Sequence, residues 1–121
     1  MDMRLELVPL PTRDVDRSKE FYVERMGFHL DHDVSPGNGF RVVQLTPPGS
    51  SCSIVVGVGM SAPDAPPVLG LHLVVDDIEL VRAHLATKGV EVSDVNDMGG
   101  VKYAYLSDPD GNSWALQQLA R

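Results

Sequence analysis

The chain is written twice on one plan. "RDVDRSKEFYVERMG" (Arg13–Gly27) and "DIELVRAHLATKG" (Asp77–Gly89) each place an Asp at a helix start, Asp14 for the first and Asp76 or Asp77 for the second, and a Gly at its stop. Asp14 to Gly27 is 13 residues and Asp77 to Gly89 is 12. In the first segment Val15, Ser18, Phe21, Tyr22, Arg25 and Met26 recur at helical spacing. In the second, Ile78, Val81, Leu85 and Ala86 form the apolar face. A strand-like piece precedes each helix: "LELVPL" (Leu5–Leu10) and "LHLVVD" (Leu71–Asp76). Three follow the first helix: "FHLDHDV" (Phe28–Val34), "FRVVQL" (Phe40–Leu45) and "CSIVVGV" (Cys52–Val58). Three follow the second: "VEVSDV" (Val90–Val95), "VKYAYL" (Val101–Leu106) and "SWALQQL" (Ser113–Leu119). The Pro- and Gly-rich stretch "GMSAPDAPPVLG" (Gly59–Gly70) lies between the two sets.

A repeat of this kind decides the architecture. The expected fold is α+β, with two βαβββ modules in one chain: module one over 3–58, a connector over 59–69 and module two over 70–119, within a single domain 1–121. Each four-stranded sheet twists and buries one face under its helix. The two remaining faces are expected to line a concave cup, a favourable place for a ligand.

The bulk properties narrow the function classes. A chain of 121 residues can bury a core without staples. A net charge of −7 repels phosphate backbones, so no nucleic acid partner is expected. No run approaches the ~20 apolar residues that span a bilayer, so no membrane partner is expected. Cys52 is the only cysteine, which rules out an intrachain disulfide. The opening "MDMRLELVPL" lacks a basic region followed by a long apolar run, and the expected location is the cytoplasm.

Asp108-Pro109-Asp110-Gly111 in "YLSDPDGNSWALQQL" is a turn signal between two strands of a hairpin. "GNG" (Gly37–Gly39) is a turn, since no helix start follows it. Asn96–Gly100 reads as a hairpin turn, with a rim or lid over the cup as the alternative, His84 as a surface residue of its helix and Cys52 as a packing residue. In "FHLDHDV", strand alternation points His29, Asp31 and Asp33 one way and His32 the other. That spread favours a solvated strand face over a metal cluster.

"DVDRSKEFYVERMGF" (Asp14–Phe28), "LVVDDIELVRAHLATKGVEV" (Leu73–Val92) and "LSDPDGNSWALQ" (Leu106–Gln117), in this order, resemble the vicinal oxygen chelate superfamily. Its members include glyoxalase I, extradiol dioxygenases, fosfomycin-resistance enzymes and bleomycin-resistance binding proteins. "FRVVQLTPPGSSCSI" (Phe40–Ile54) is similar to a metal-poor, glyoxalase-labelled branch. In the metal-using branches, ligands come from the first and last strand of each half. The matching positions here are Leu7, Val55, Gly70 and Ala115, none with a donor atom. A divalent ion needs carboxylate, imidazole or thiolate ligands, so neither a metal nor another cofactor is expected.

Parity around these positions adds Leu5, Pro9, Ser53, Gly57, His72, Ser113 and Gln117. Resemblance to the fosfomycin-resistance enzymes adds Tyr105, and parity Tyr103; Trp114 and Leu116 then point at the helices. The expected ligand-binding set is Leu7, Ser53, Val55, Gly70, His72, Tyr103, Tyr105, Ser113, Ala115 and Gln117. Its mostly apolar character with a few polar points suits an organic small molecule.

The resemblance thus implies a metal-free protein that binds a small, partly hydrophobic molecule for sequestration or resistance. The alternative is a metal-independent isomerase, cyclase or lyase with His72 and Tyr105 as catalytic residues. Against it, no carboxylate partner for His72 falls at a matching position. A metal-dependent lyase or dioxygenase ranks third. The resemblance also implies a homodimer, with the cup formed within one chain or across two.

Overall fold

The computed structural model describes residues 1–62 and 64–120. It divides into two compact units, the first ending at Pro67 and the second beginning at Val68. The units share one topology. The first contains β1 (Leu7–Pro9), α1 (Val15–Glu20), β2 (His29–Gly37), β3 (Phe40–Thr46) and β4 (Ser53–Val58). The second contains β5 (Leu71–Val74), α2 (Ile78–Thr87), β6 (Asn96–Met98), β7 (Val101–Ser107) and β8 (Ser113–Gln118). The sheet orders are β1-β4-β3-β2 and β5-β8-β7-β6. The outer pairs β1/β4 and β5/β8 are parallel and the remainder antiparallel. The fold is therefore α+β with two similar modules.

Both helices start where the sequence says. Asp14 and Asp77 are extended N-caps whose carboxylates accept from the Arg17 and Leu80 amides, each at 3.1 Å. Gly27 (φ 75°) and Gly89 (φ 78°) provide the left-handed turns that end them. The first helix is less regular than expected. After Glu20 it widens into a π-helical stretch, Phe21–Arg25, closed by the Met26 amide on the Phe21 carbonyl. This places the fully buried Tyr22 ring 5.1 Å from Phe21 and 5.3 Å from Phe28. On α2, Ile78 and Leu85 are buried but Ala86 is exposed, so the apolar face is narrower than its spacing suggests.

The helices cover one face of each sheet. In unit one, Val43, Leu45, Ile54 and Val56 are buried there. Arg41, on the same side of β3, meets α1 through Asp16 at 2.8 Å. In unit two, Ala104, Leu106, Trp114 and Leu116 are buried. Gln118, of the same parity as Trp114 and Leu116, caps α2 by accepting from the Ile78 amide at 2.8 Å. Trp114 and Leu116 thus sit on the helix side, as expected.

Two expectations need correction. The strand over Val90–Val95 does not form; β6 instead occupies Asn96–Met98, where a turn was expected. Arg82 of α2 explains the shift. Its Nε donates to the Ser93 carbonyl at 2.7 Å and its NH2 to the Asp94 carboxylate at 3.0 Å. The Ser93 carbonyl is thereby engaged by the helix, and the Ser93 hydroxyl accepts the Tyr105 amide at 2.9 Å in place of a backbone group. The second correction concerns β2. Its pairing with β3 shifts between Leu30 and His32, which makes Asp31 a bulge residue. His29 and His32 then lie opposite Thr46 and Gln44, while Asp33 lies opposite Val43 on the helix side. Asp33 bonds Lys19 at 2.7 Å and Arg41 at 3.0 Å there.

The DPDG turn is held from inside. The Asp108 carboxylate accepts from the Asp110 and Asn112 amides, each at 2.9 Å. Asn112 is fully buried and its side-chain oxygen accepts from the Val68 amide at 2.9 Å. The turn therefore anchors the end of the connector beside β8.

Candidate ligand-binding faces

Each sheet has a face turned away from its helix, and register names the residues on it. Residues directly opposite across paired strands share a face. In unit two, His72 lies opposite Ala115, and Ala115 opposite Tyr105. Val74 lies opposite Gln117, and Gln117 opposite Tyr103. Ser113 lies opposite Ser107. His72, Tyr103, Tyr105, Ser113, Ala115 and Gln117 therefore share the helix-free face. Gly70 precedes β5 with φ 81°, and its amide donates to the Ser113 hydroxyl at 2.9 Å. It shapes the end of this face and adds no side chain to it.

The aromatic rings are ordered. Tyr103 and Tyr105 are parallel within 2°, with centroids 6.4 Å apart. The His72 ring stands edge-on to Tyr103 at 6.2 Å and 87°. Gln117 Nε2 donates to the Tyr103 hydroxyl at 3.1 Å. Tyr105 is 46% exposed, leaving its ring available to a ligand. His72 Nδ1 lies 2.7 Å from the Gly70 carbonyl. A carbonyl only accepts, so Nδ1 carries the hydrogen and the neutral ring keeps Nε2 as an acceptor.

In unit one, Leu7 lies opposite Ser53, and Pro9 opposite Val55. Leu7, Ser53 and Val55 therefore share the helix-free face of that sheet, with Gln44 opposite Val55. Leu5 precedes β1 and is 71% exposed. Sequence reasoning missed Gln44, Thr46 and Asp31 on this face. Thr46 bonds Ser53 at 2.6 Å and also bonds Asp31. The signal that could have found Asp31 was a bulge, which strand parity alone does not reveal.

The four positions matched to metal ligands carry Leu7, Val55, Gly70 and Ala115. No side-chain oxygen, nitrogen or thiolate is present at any of them, so they do not fit a divalent ion. Among the described residues, no group of three or more His, Cys, Asp or Glu side chains is placed to hold one elsewhere. Perturbed ionisation lies on the helix side instead. The Arg41 guanidinium, with the Lys19 ammonium, holds Asp33 well below the usual carboxylate range. Asp33 and then Asp16 push Arg41 upward in turn. An open cleft of about 570 Å³ at the start of α1 is lined by Arg13, Asp14, Asp16, Arg41 and Gly57, among others. None of the expected ligand residues lines it, and its Arg41 is already held by carboxylates.

The sequence matches the glyoxalase/bleomycin resistance protein/dioxygenase superfamily over residues 4–116. The chain belongs to this superfamily. Among solved structures, it is similar to TnmS3, an antibiotic binding protein from Streptomyces sp. CB03234, with 34% identity, 98% of each chain covered and a TM-score of 0.86. It is also similar to a glyoxalase/bleomycin resistance protein from Streptomyces sp. CB03234, with 37% identity over 95% of this chain and 100% of that one, and a TM-score of 0.80. A superfamily member from Sphaerobacter thermophilus DSM 20745, 24% identical over 98% of each chain with a TM-score of 0.84, shares the fold. No curated protein matches the sequence. Among the described residues, no helix of this superfamily member is long and apolar enough to cross a membrane.

Proposed function

We propose that this chain binds a small, partly hydrophobic organic molecule on its helix-free sheet faces, without a metal or other cofactor, for sequestration or resistance. The observation that carries the reading is the unit-two face. Ala115, at a position matched to a metal ligand, is flanked by the His72 and Tyr105 positions. Such a face offers stacking area and a few polar anchors to an organic ligand, and no donor at Ala115 to a cation. The likeness to a protein described as antibiotic binding supports the same class of ligand. The reading includes a homodimer, by family likeness, and a cytoplasmic location, from the single cysteine and the opening without a signal-peptide pattern; light scattering on the purified protein tests the dimer.

The test is a thermal-shift and calorimetric screen of an antibiotic panel that includes bleomycin. Tyr105→Ala should weaken binding of a hit about tenfold, the worth of one good aromatic contact. His72→Ala should alter affinity only, with the ligand recovered unchanged. An empty panel, or a hit indifferent to Tyr105→Ala, overturns the reading.

A second reading is favoured by one observation. The His72 tautomer leaves Nε2 free to take a proton, with Tyr105 two strands away in the same row. This would suit a metal-independent isomerisation, cyclisation or elimination. It requires ligand turnover that His72→Ala abolishes while binding persists.

A further inference from the structure

A directed chain of hydrogen bonds crosses the helix-free face of unit one. Thr46 bonds both the Asp31 carboxylate and the Ser53 hydroxyl, and Gln44 Nε2 lies 3.4 Å from the Ser53 oxygen. The direction of every link follows from donor count. An ionised carboxylate only accepts, so Thr46 spends its single hydrogen on Asp31. Thr46 must then accept from Ser53, which spends its own hydrogen in turn. Ser53 can only accept from Gln44, and this turns the amide nitrogen inward and the Gln44 carbonyl oxygen outward. Both hydroxyl hydrogens are consumed within the chain. What remains open is one N–H of Gln44 and a set of acceptors: Gln44 Oε1, which has no partner among the described residues, and Asp31 Oδ1. Oδ1 lies 3.6 Å from His29 Nε2, beyond hydrogen-bond length but within ion-pair range whenever that ring is charged.

The patch is partly desolvated and edged by apolar surface. The Asp31 side chain is 22% exposed and Ser53 is 5% exposed. Leu7 and Pro9 lie beside it on the same face, where Val55 is fully buried. A negative, acceptor-rich spot next to aliphatic side chains complements a hydrogen-bond donor with positive charge on an apolar body.

We propose that this patch is a specificity subsite for a protonated amine of the ligand, with Asp31 as its counter-ion and Gln44 Oε1 as a second acceptor. The proposal deepens the small-molecule reading above and rests on it. It makes the ligand class a lipophilic amine rather than a neutral or acidic molecule.

The experiment is calorimetric titration at pH 8 with two probes of matched shape, naphthalen-1-ylmethylamine and naphthalen-1-ylmethanol. The amine should bind at least about tenfold tighter, as expected for a charge-assisted hydrogen bond. Asp31→Asn keeps an oxygen for Thr46 but removes the charge, and should bring the two probes within about twofold of each other. Glu24→Gln removes the same charge from an exposed position on the first helix and should leave the preference intact. Equal binding of both probes by the native protein, or a preference that survives Asp31→Asn, overturns the amine subsite and leaves the binding reading standing. Failure of both probes to bind the folded native protein overturns both.

Discussion

At the level of single residues, Gly57 carries more constraint than its place in a strand suggests. A Cβ built on it would lie 2.0 Å from the Arg41 carbonyl oxygen, a backbone atom that cannot swing aside. Gly57→Ala therefore has to push β3 and β4 apart. The expected cost is about 2–3 kcal/mol, read as a fall in Tm on the order of 10 °C. An unchanged Tm would show that the strands adjust freely there. That Gly57 follows Val55 by two in a strand was legible in the sequence; the close approach of Arg41 was not. Asp31 teaches the same point. Alternation assigned His29, Asp31 and Asp33 to one side, but one extra residue sends Asp33 to the helix and brings His32 to the face of His29. A bulge costs nothing in composition, so periodicity does not announce it.

At the level of elements, Asp33 joins β2 to β3 through Arg41, and the pair ties this hairpin to α1 through Asp33 with Lys19 and Arg41 with Asp16. Because these partners depress the folded-state pKa of Asp33, its contribution is present in full above the unfolded value near 3.8 and is lost as pH falls below it. Asp33→Asn should lower Tm at pH 6 to 7 by a few degrees, about 1 kcal/mol for a partly exposed network. The gap between native protein and variant should narrow steadily as the pH drops below about 4. A gap that stays constant across this range would mean the ionised form of Asp33 is not what the cluster stabilises. The two N-caps and the two Gly stops were readable because capping is local chemistry. The missing strand at Val90–Val95 was not, because what replaces it is an arginine from a different element.

For the whole molecule, the repeat was the legible part. Two sheets of identical strand order follow from two copies of one pattern, and each carries its apolar positions where alternation placed them. Residues on the helix-free faces could be named for the same reason. Their hydrogen-bond partners could not, since Gln117 with Tyr103 and Thr46 with Ser53 join different strands. The same repeat gives the metal prediction its force. Leu7 and Val55 belong to one module and Gly70 and Ala115 to the other, so a single altered strand cannot account for all four. Incubation with Ni²⁺, Zn²⁺, Mn²⁺ or Fe²⁺ should thus leave Tm unchanged, and dialysis should return protein with less than about a tenth of an equivalent of metal by mass spectrometry. Chelation should likewise leave ligand affinity untouched. Stoichiometric retention of one ion, with a rise in Tm, would move the metal to residues outside these four and bring the metal-dependent lyase or dioxygenase forward as the function.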